Sequence, residues 1–142
     1  MTSNSESFGA GSSRFDSIRA RYVELTGRVP ESIEKRLEIG VRTGRVQAIL
    51  AIEAMREELI MQNPLGHKIG QLVHFAQLVA LGEASPARLH AGAALKAGAS
   101  LTDLMGVAEL SLITSGIPAY SLAIEIVAEL SEVEDDDLDK FG

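Results

Sequence analysis

The sequence predicts an all-α protein, six or seven helices packed as an orthogonal bundle with short connections. Three observations carry that prediction. Apolar residues recur at helical spacing in segment after segment, and none of these has the strict alternation or β-branched runs of a strand. Gly and Pro stand between the segments as stops and starts. The residues available for packing are mainly Ala, Leu, Ile and Val, with only 4% aromatics, a mixture that suits closely apposed helices.

Taken in order, residues 1–13 (MTSNSESFGAGSS) are rich in Ser and Gly and have almost nothing to bury, so a disordered lead is expected there. A single domain is expected over residues 14–131. Its first helix runs from Arg14 to Thr26, with Phe15, Ile18, Tyr22, Val23 and Leu25 near helical spacing and Gly27 as the stop. Pro30 opens a short second helix through Ile33, Leu37 and Ile39, ending near Gly40 or Gly44. A third helix is expected from about Arg45 to Gln62, its apolar face made of Val46, Ile49, Leu50, Ile52, Met55, Leu59 and Ile60. Asn63-Pro64-Leu65-Gly66 breaks it.

The fourth helix, Gly66 to Leu81, is apolar around most of its circumference and should be buried on more than one side. It nevertheless carries His67, Gln71 and His74 at i, i+4 and i+7, a polar stripe along one face. Such a stripe needs a partner, because an unsatisfied buried polar group costs about 1–3 kcal/mol. After Gly82-Glu83-Ala84, Ser85 is the expected cap and Pro86 the first residue of a fifth helix that runs to Ala97. Its Ala87, Ala91, Gly92, Ala93, Ala94 and Ala97 allow close approach of a neighbour, and His90 stands one turn in. Ser100 and Asp103 have capping-box spacing for a sixth helix ending at Ser115. Gly116 stops it, and Pro118 begins the last helix, Ala119 to Leu130. Glu109 and Glu125 interrupt these two apolar helices and are expected to point outward or to pair with a cation.

The absence of cysteine excludes disulfides, thiolate metal sites and thiol redox chemistry. No run reaches the ~18–20 apolar residues of a membrane span, and the N-terminus lacks a secretory pattern, so a soluble cytoplasmic protein with no membrane partner is expected. The formal charge of −7 is concentrated at the end, where residues 132–142 form an acidic stretch expected to be a flexible, solvated tail. The rest is near neutral. With no basic face to release counterions, nucleic acid is not an expected partner.

The second half carries a pattern: K-x-x-Q-L from Lys68, then ARLHAGAALKAGAS from Ala87, then Leu101-x-x-Leu104, then SGIPAYSLAIEIVAEL from Ser115. Over Lys68 to Leu130 this resembles the carboxymuconolactone decarboxylase family, which shares its all-helical fold with the alkylhydroperoxidase-like proteins. The leader YVELTGRVPESIEKRLEIGVRTG resembles that of a cysteine-less branch. The peroxidase branch has two cysteines, the second four residues before a histidine, and a glutamate on the preceding helix. This chain has Glu83 and Pro86 at the cysteine positions, Gln71 at the glutamate position, and His90 as the histidine. Thiol peroxidase or disulfide reductase activity is therefore excluded on chemistry.

What the resemblance implies is a cofactor-free lyase reaction on a small lactone or organic carboxylic acid. Loss of carbon dioxide leaves a dienolate-like carbanion to be stabilised and protonated. In those roles the expected residues are His90 as proton donor, His74 or Gln71 toward the developing oxyanion, Glu83 orienting an imidazole, and Arg88 for the substrate carboxylate. Homo-trimers or homo-hexamers are the assemblies the resemblance implies. No metal site is expected, since His67 and His74 are ~10.5 Å apart along the helix, and His74, Glu83 and His90 could share an ion only if the junction folds tightly. Two other readings stand beside the lyase: a non-catalytic oligomeric scaffold or ligand-binding protein, and a hydrolytic relative in which Glu83 and His90 activate water. Neither Ser85 nor Ser111 sits in a recognisable nucleophile elbow.

Overall fold

The computed structural model describes the backbone of residues 3–141 and the side chains of residues 14–133. Among them are seven helices and no strand: α1 (Ser3–Thr26), α2 (Glu31–Arg42), α3 (Val46–Met61), α4 (Gly66–Leu81), α5 (Ala84–Lys96), α6 (Leu101–Ser115) and α7 (Ile117–Phe141). None is long and apolar enough to cross a membrane, among the described residues. Helix α1 begins at Ser3, inside the lead expected to be disordered (residues 1–13), and α7 continues to Phe141 through the stretch expected to be a flexible tail; the side chains of residues 1–13 and 134–142 lie outside those described. The chain divides into two compact units at the predicted break after α3, Met1–Asn63 and Pro64–Gly142, where a single domain was expected.

In the first unit, Phe15, Ile18 and Tyr22 of α1, Ile33 and Leu37 of α2 and Ile49 of α3 are buried together. Gly40 is buried where α2 meets α3, and a Cβ there would lie 2.7 Å from Ile49 Cγ1, so the close approach requires glycine. The outer side of this unit is tied by Arg19, whose Nε and Nη2 donate to Glu34 at 2.7 and 3.1 Å. That hydrogen bond holds the Glu34 carboxyl below its ordinary range. Helix α3 turns differently from the reading of its sequence. Ile49 faces inward together with Glu53, whereas Ile52, Met55 and Leu59 are exposed.

In the second unit, α4 packs on α5 and α6 on α7. Phe75 and Val79 of α4, Ala87, Ala91 and Ala94 of α5, Leu104 and Ala108 of α6, and Ala123 and Ile126 of α7 form its core. The run of alanines fulfils its expected part: Ala87, Ala91, Ala93 and Ala94 are buried on α5, which packs on α4 and α7. Helix α4 has the predicted bounds and ends on Gly82, which is left-handed at φ 74°. The capping box of α6 is present, with Asp103 N–H donating to Ser100 Oγ at 3.0 Å and Ser100 N–H to Asp103 Oδ2 at 2.9 Å. Helix α5 begins two residues earlier than expected, at Ala84 with Glu83 at its N-cap and no side-chain cap bond. Pro86 fits inside the first turn because the first four helical N–H groups have no intrahelical acceptor to lose.

Candidate functional site

Gln71 lies on the inward face of α4, 3% exposed, one turn before Phe75 on the same buried stripe. His90 comes from the second turn of α5, flanked by the buried Ala91 and half-buried itself. The two meet across the α4–α5 contact. Gln71 Oε1 lies 2.6 Å from His90 Nδ1, and since a carbonyl oxygen only accepts, Nδ1 carries the hydrogen. His74, one turn after Gln71, packs its ring against that of His90, with centroids 4.7 Å apart and planes tilted by 34°.

Three residues selected from the sequence therefore converge: Gln71 and His74 from α4 and His90 from α5. The other two do not join them. Glu83 is exposed at the start of α5, two helical turns before His90, and makes no side-chain hydrogen bond or ion pair among the described residues. Arg88 turns to α7, donating through Nε and Nη2 to Glu129 at 2.9 and 3.2 Å and through Nη2 to Glu125 at 3.4 Å. The bond from Arg88 holds the Glu129 carboxyl below its ordinary range. Glu125 thus pairs with a cation as expected, and Glu109 is exposed. No group of three or more His, Cys, Asp or Glu side chains suited to a metal comes together among the described residues.

The chemical capacity of the junction follows from the Gln71 bond. With the hydrogen of Nδ1 committed to an amide oxygen, the ring is fixed in one tautomer and orientation, and proton exchange falls to Nε2. A buried amide is a neutral orienting group. It aims the imidazole without placing a full charge beside it.

A family model for the carboxymuconolactone decarboxylase family matches residues 41–129, more than half of the chain. The chain belongs to the carboxymuconolactone decarboxylase family. That match contains α3 through the first half of α7, including all of Gln71, His74 and His90. A crystal structure of a candidate carboxymuconolactone decarboxylase from Burkholderia xenovorans LB400 is similar in fold, with a TM-score of 0.71 at 21% identity, covering 89% of this chain and 98% of that one. No curated protein matches the sequence. This family member has no cysteine, so the nucleophile of the thiol-dependent relatives has no counterpart here.

One cluster was missed in the sequence altogether. Glu53 is 1% exposed in the first unit, where Arg21 Nη2 donates to its Oε2 and Arg21 Nη1 to its carbonyl oxygen at 3.0 Å. Tyr22 Oη lies 3.2 Å from both carboxylate oxygens. The available signal was reciprocal: Arg21 sits on the Ile18–Tyr22 face of α1, and Glu53 follows Ile49 by four residues on α3. Two opposite charges on two inward faces are a pair waiting to be matched.

Proposed function

We propose that this family member is a cofactor-free lyase that decarboxylates a small lactone or organic carboxylic acid, with His90 as the proton donor. The observation that carries the reading is the 2.6 Å bond between Gln71 Oε1 and His90 Nδ1 at the α4–α5 junction. The carbon–carbon bond to the substrate carboxylate breaks, carbon dioxide leaves, and the electron pair passes into the conjugated system as a dienolate. A proton from Nε2 of the imidazolium then goes to carbon, and water restores it. Gln71 is a positioning residue in this scheme. His74, packed on the same ring, is the second imidazole available to the developing oxyanion. Because Arg88 is held by Glu129 and Glu125, its use for a substrate carboxylate requires exchanging those partners.

The test is carbon dioxide release from a panel of carboxylated lactones by the parent chain and His90→Gln. The variant should lose turnover by at least about a hundredfold, the usual contribution of a general acid, while melting temperature and assembly mass stay unchanged. Retained turnover sinks the assignment of His90.

A second reading, an assembly protein with no catalysis, is favoured by a different feature. In the second unit, Ile69, Leu72, Val73, Ala76 and Leu110 line an apolar groove of roughly 370 Å³ that does not include Gln71, His74 or His90. Leu110 in its lining is 72% exposed, and Ile113, further along α6, is 82% exposed. Contiguous apolar surface of this kind fits a homo-trimer or homo-hexamer. Assembly and catalysis are compatible; a stable oligomer with no activity on any carboxylated lactone would favour the scaffold.

A further inference from the structure

The first unit gathers more positive charge around Glu53 than the carboxylate uses. Arg21 and Tyr22 reach it by hydrogen bonds, which satisfies a buried carboxylate. Two further guanidiniums nevertheless face it: Arg36 of α2, with Nη1 3.8 Å from Oε1, and Arg56 of α3, with Nε 4.0 Å from the same atom. Arg56 is steadied by donating through Nε to Tyr22 Oη at 3.2 Å. Arg36 makes no hydrogen bond, and neither Arg36 nor Arg56 has another carboxylate within ion-pair distance, among the described residues. One further acid, Glu57, is exposed and lies 3.6 Å from Arg21 Nη1.

Three guanidiniums thus share Glu53, and only Arg21 has the outlying Glu57 as well, which leaves an excess of positive charge among these groups. The two cations that Glu53 does not engage by hydrogen bonds are the two that reach solvent, with Arg36 43% and Arg56 35% exposed. A clamp built only to fasten α1 to α3 needs Arg21 alone, so Arg36 and Arg56, within 4.0 Å of Glu53 but without a hydrogen bond to it, keep donor capacity to spare. An anion at the rim takes up the donors that Glu53 leaves unused. Planar guanidinium forks with unused N–H donors match a carboxylate's two oxygens. From this arrangement we infer that Arg36 and Arg56 form a binding site for a small carboxylate anion on the first unit, backed by the Glu53–Arg21–Tyr22 cluster. The site is independent of the lyase reading.

Tyr22 makes it measurable. The chain has two tyrosines and no tryptophan, so in a Tyr120→Phe background the intrinsic fluorescence reports Tyr22. Titration of the full chain with succinate, at ionic strength held constant with chloride, should give a saturable change and a matching rise in melting temperature. Arg36→Gln and Arg56→Gln should each weaken it about tenfold or more, whereas Arg42→Gln, whose side chain pairs with Glu38 at 3.0 Å, should not. Any of three results overturns the site: no saturation by either readout, an equal response to chloride alone, or unchanged affinity in both Arg36→Gln and Arg56→Gln. Inorganic phosphate binding there in place of succinate overturns the carboxylate assignment.

Discussion

The two units solve the problem of joining helices in opposite ways. At the centre of the first is an ion pair, Glu53 with Arg21, closed off by a phenol and set in a modest apolar cluster. At the centre of the second is a stack of alanines around Phe75, Leu104 and Ile126, with polar side chains confined to Gln71 and Ser111 among the buried residues described there. One interface is held by directional charge and tolerates little change in partner. The other is held by close approach and tolerates little change in size. The candidate chemistry sits where the second strategy makes an exception, at the amide–imidazole bond.

The largest expected effect breaks the first unit's strategy. Arg21→Met leaves Glu53 buried without its main counter-charge and should cost about 3–5 kcal/mol. The double replacement Arg21→Met with Glu53→Leu removes both charges and should return to within about 1 kcal/mol of the parent or exceed it. Urea unfolding midpoints of the two variants give the comparison. A single variant costing less than ~1 kcal/mol would mean that Arg36 and Arg56 move in to take over the carboxylate.

An intermediate effect probes the second unit. Ala91 is fully buried in α5, and Ala91→Leu should destabilise by about 1–3 kcal/mol by forcing neighbouring side chains off their rotamers. The contrast with Arg21→Met lies in the rescue. No charge replacement can restore the Ala91 variant, but trimming a facing core residue should recover part of the loss, read by the same midpoints. If Ala91→Leu is neutral, the α4–α5 contact is looser than its alanines indicate.

How much of this was legible follows from the same contrast. The second unit could be read residue by residue because its signals are local. Gly82 ends α4, Ser100 and Asp103 start α6, and alanines mark the close face of α5. Gln71 and His74 were found because a polar stripe on an apolar helix is visible in spacing alone. Their meeting with His90 follows from packing the small-residue face of α5 against α4. Glu83 failed to join them because seven residues of helix rise carry it ~10 Å from His90. The first unit was less legible. Helix α3 is apolar on more than one side, so spacing could not say whether Ile52, Met55 and Leu59 or Ile49 faced inward. Only Arg21, 32 residues earlier in the chain, decides that, by drawing Glu53 inside.

The smallest expected effects are in acid, and they separate the units by what holds their surface carboxylates. Asp103 is pulled below its ordinary range chiefly by the Ser100 backbone N–H, with help from the Ser100 hydroxyl, and Glu34 chiefly by the hydrogen bond from Arg19. Both folded values are depressed, so each contributes stability that is present above the unfolded carboxyl range, about pH 4, and is lost as pH falls through the folded value. Melting temperature should therefore decline on the acid side in the parent, and less steeply in Arg19→Gln or Asp103→Asn, which start lower and have less to lose. Salt distinguishes them. The Arg19–Glu34 pair is a half-buried interaction between full charges that still reaches solvent, and it should weaken in 1 M sodium chloride, where the screening length shrinks to about 3 Å. Backbone N–H donation to Asp103 is short-ranged and should persist. An Asp103 contribution that vanishes with salt as fast as that of Glu34 would mean that the helix α6 start is held by long-range charge, with the capping box incidental to it.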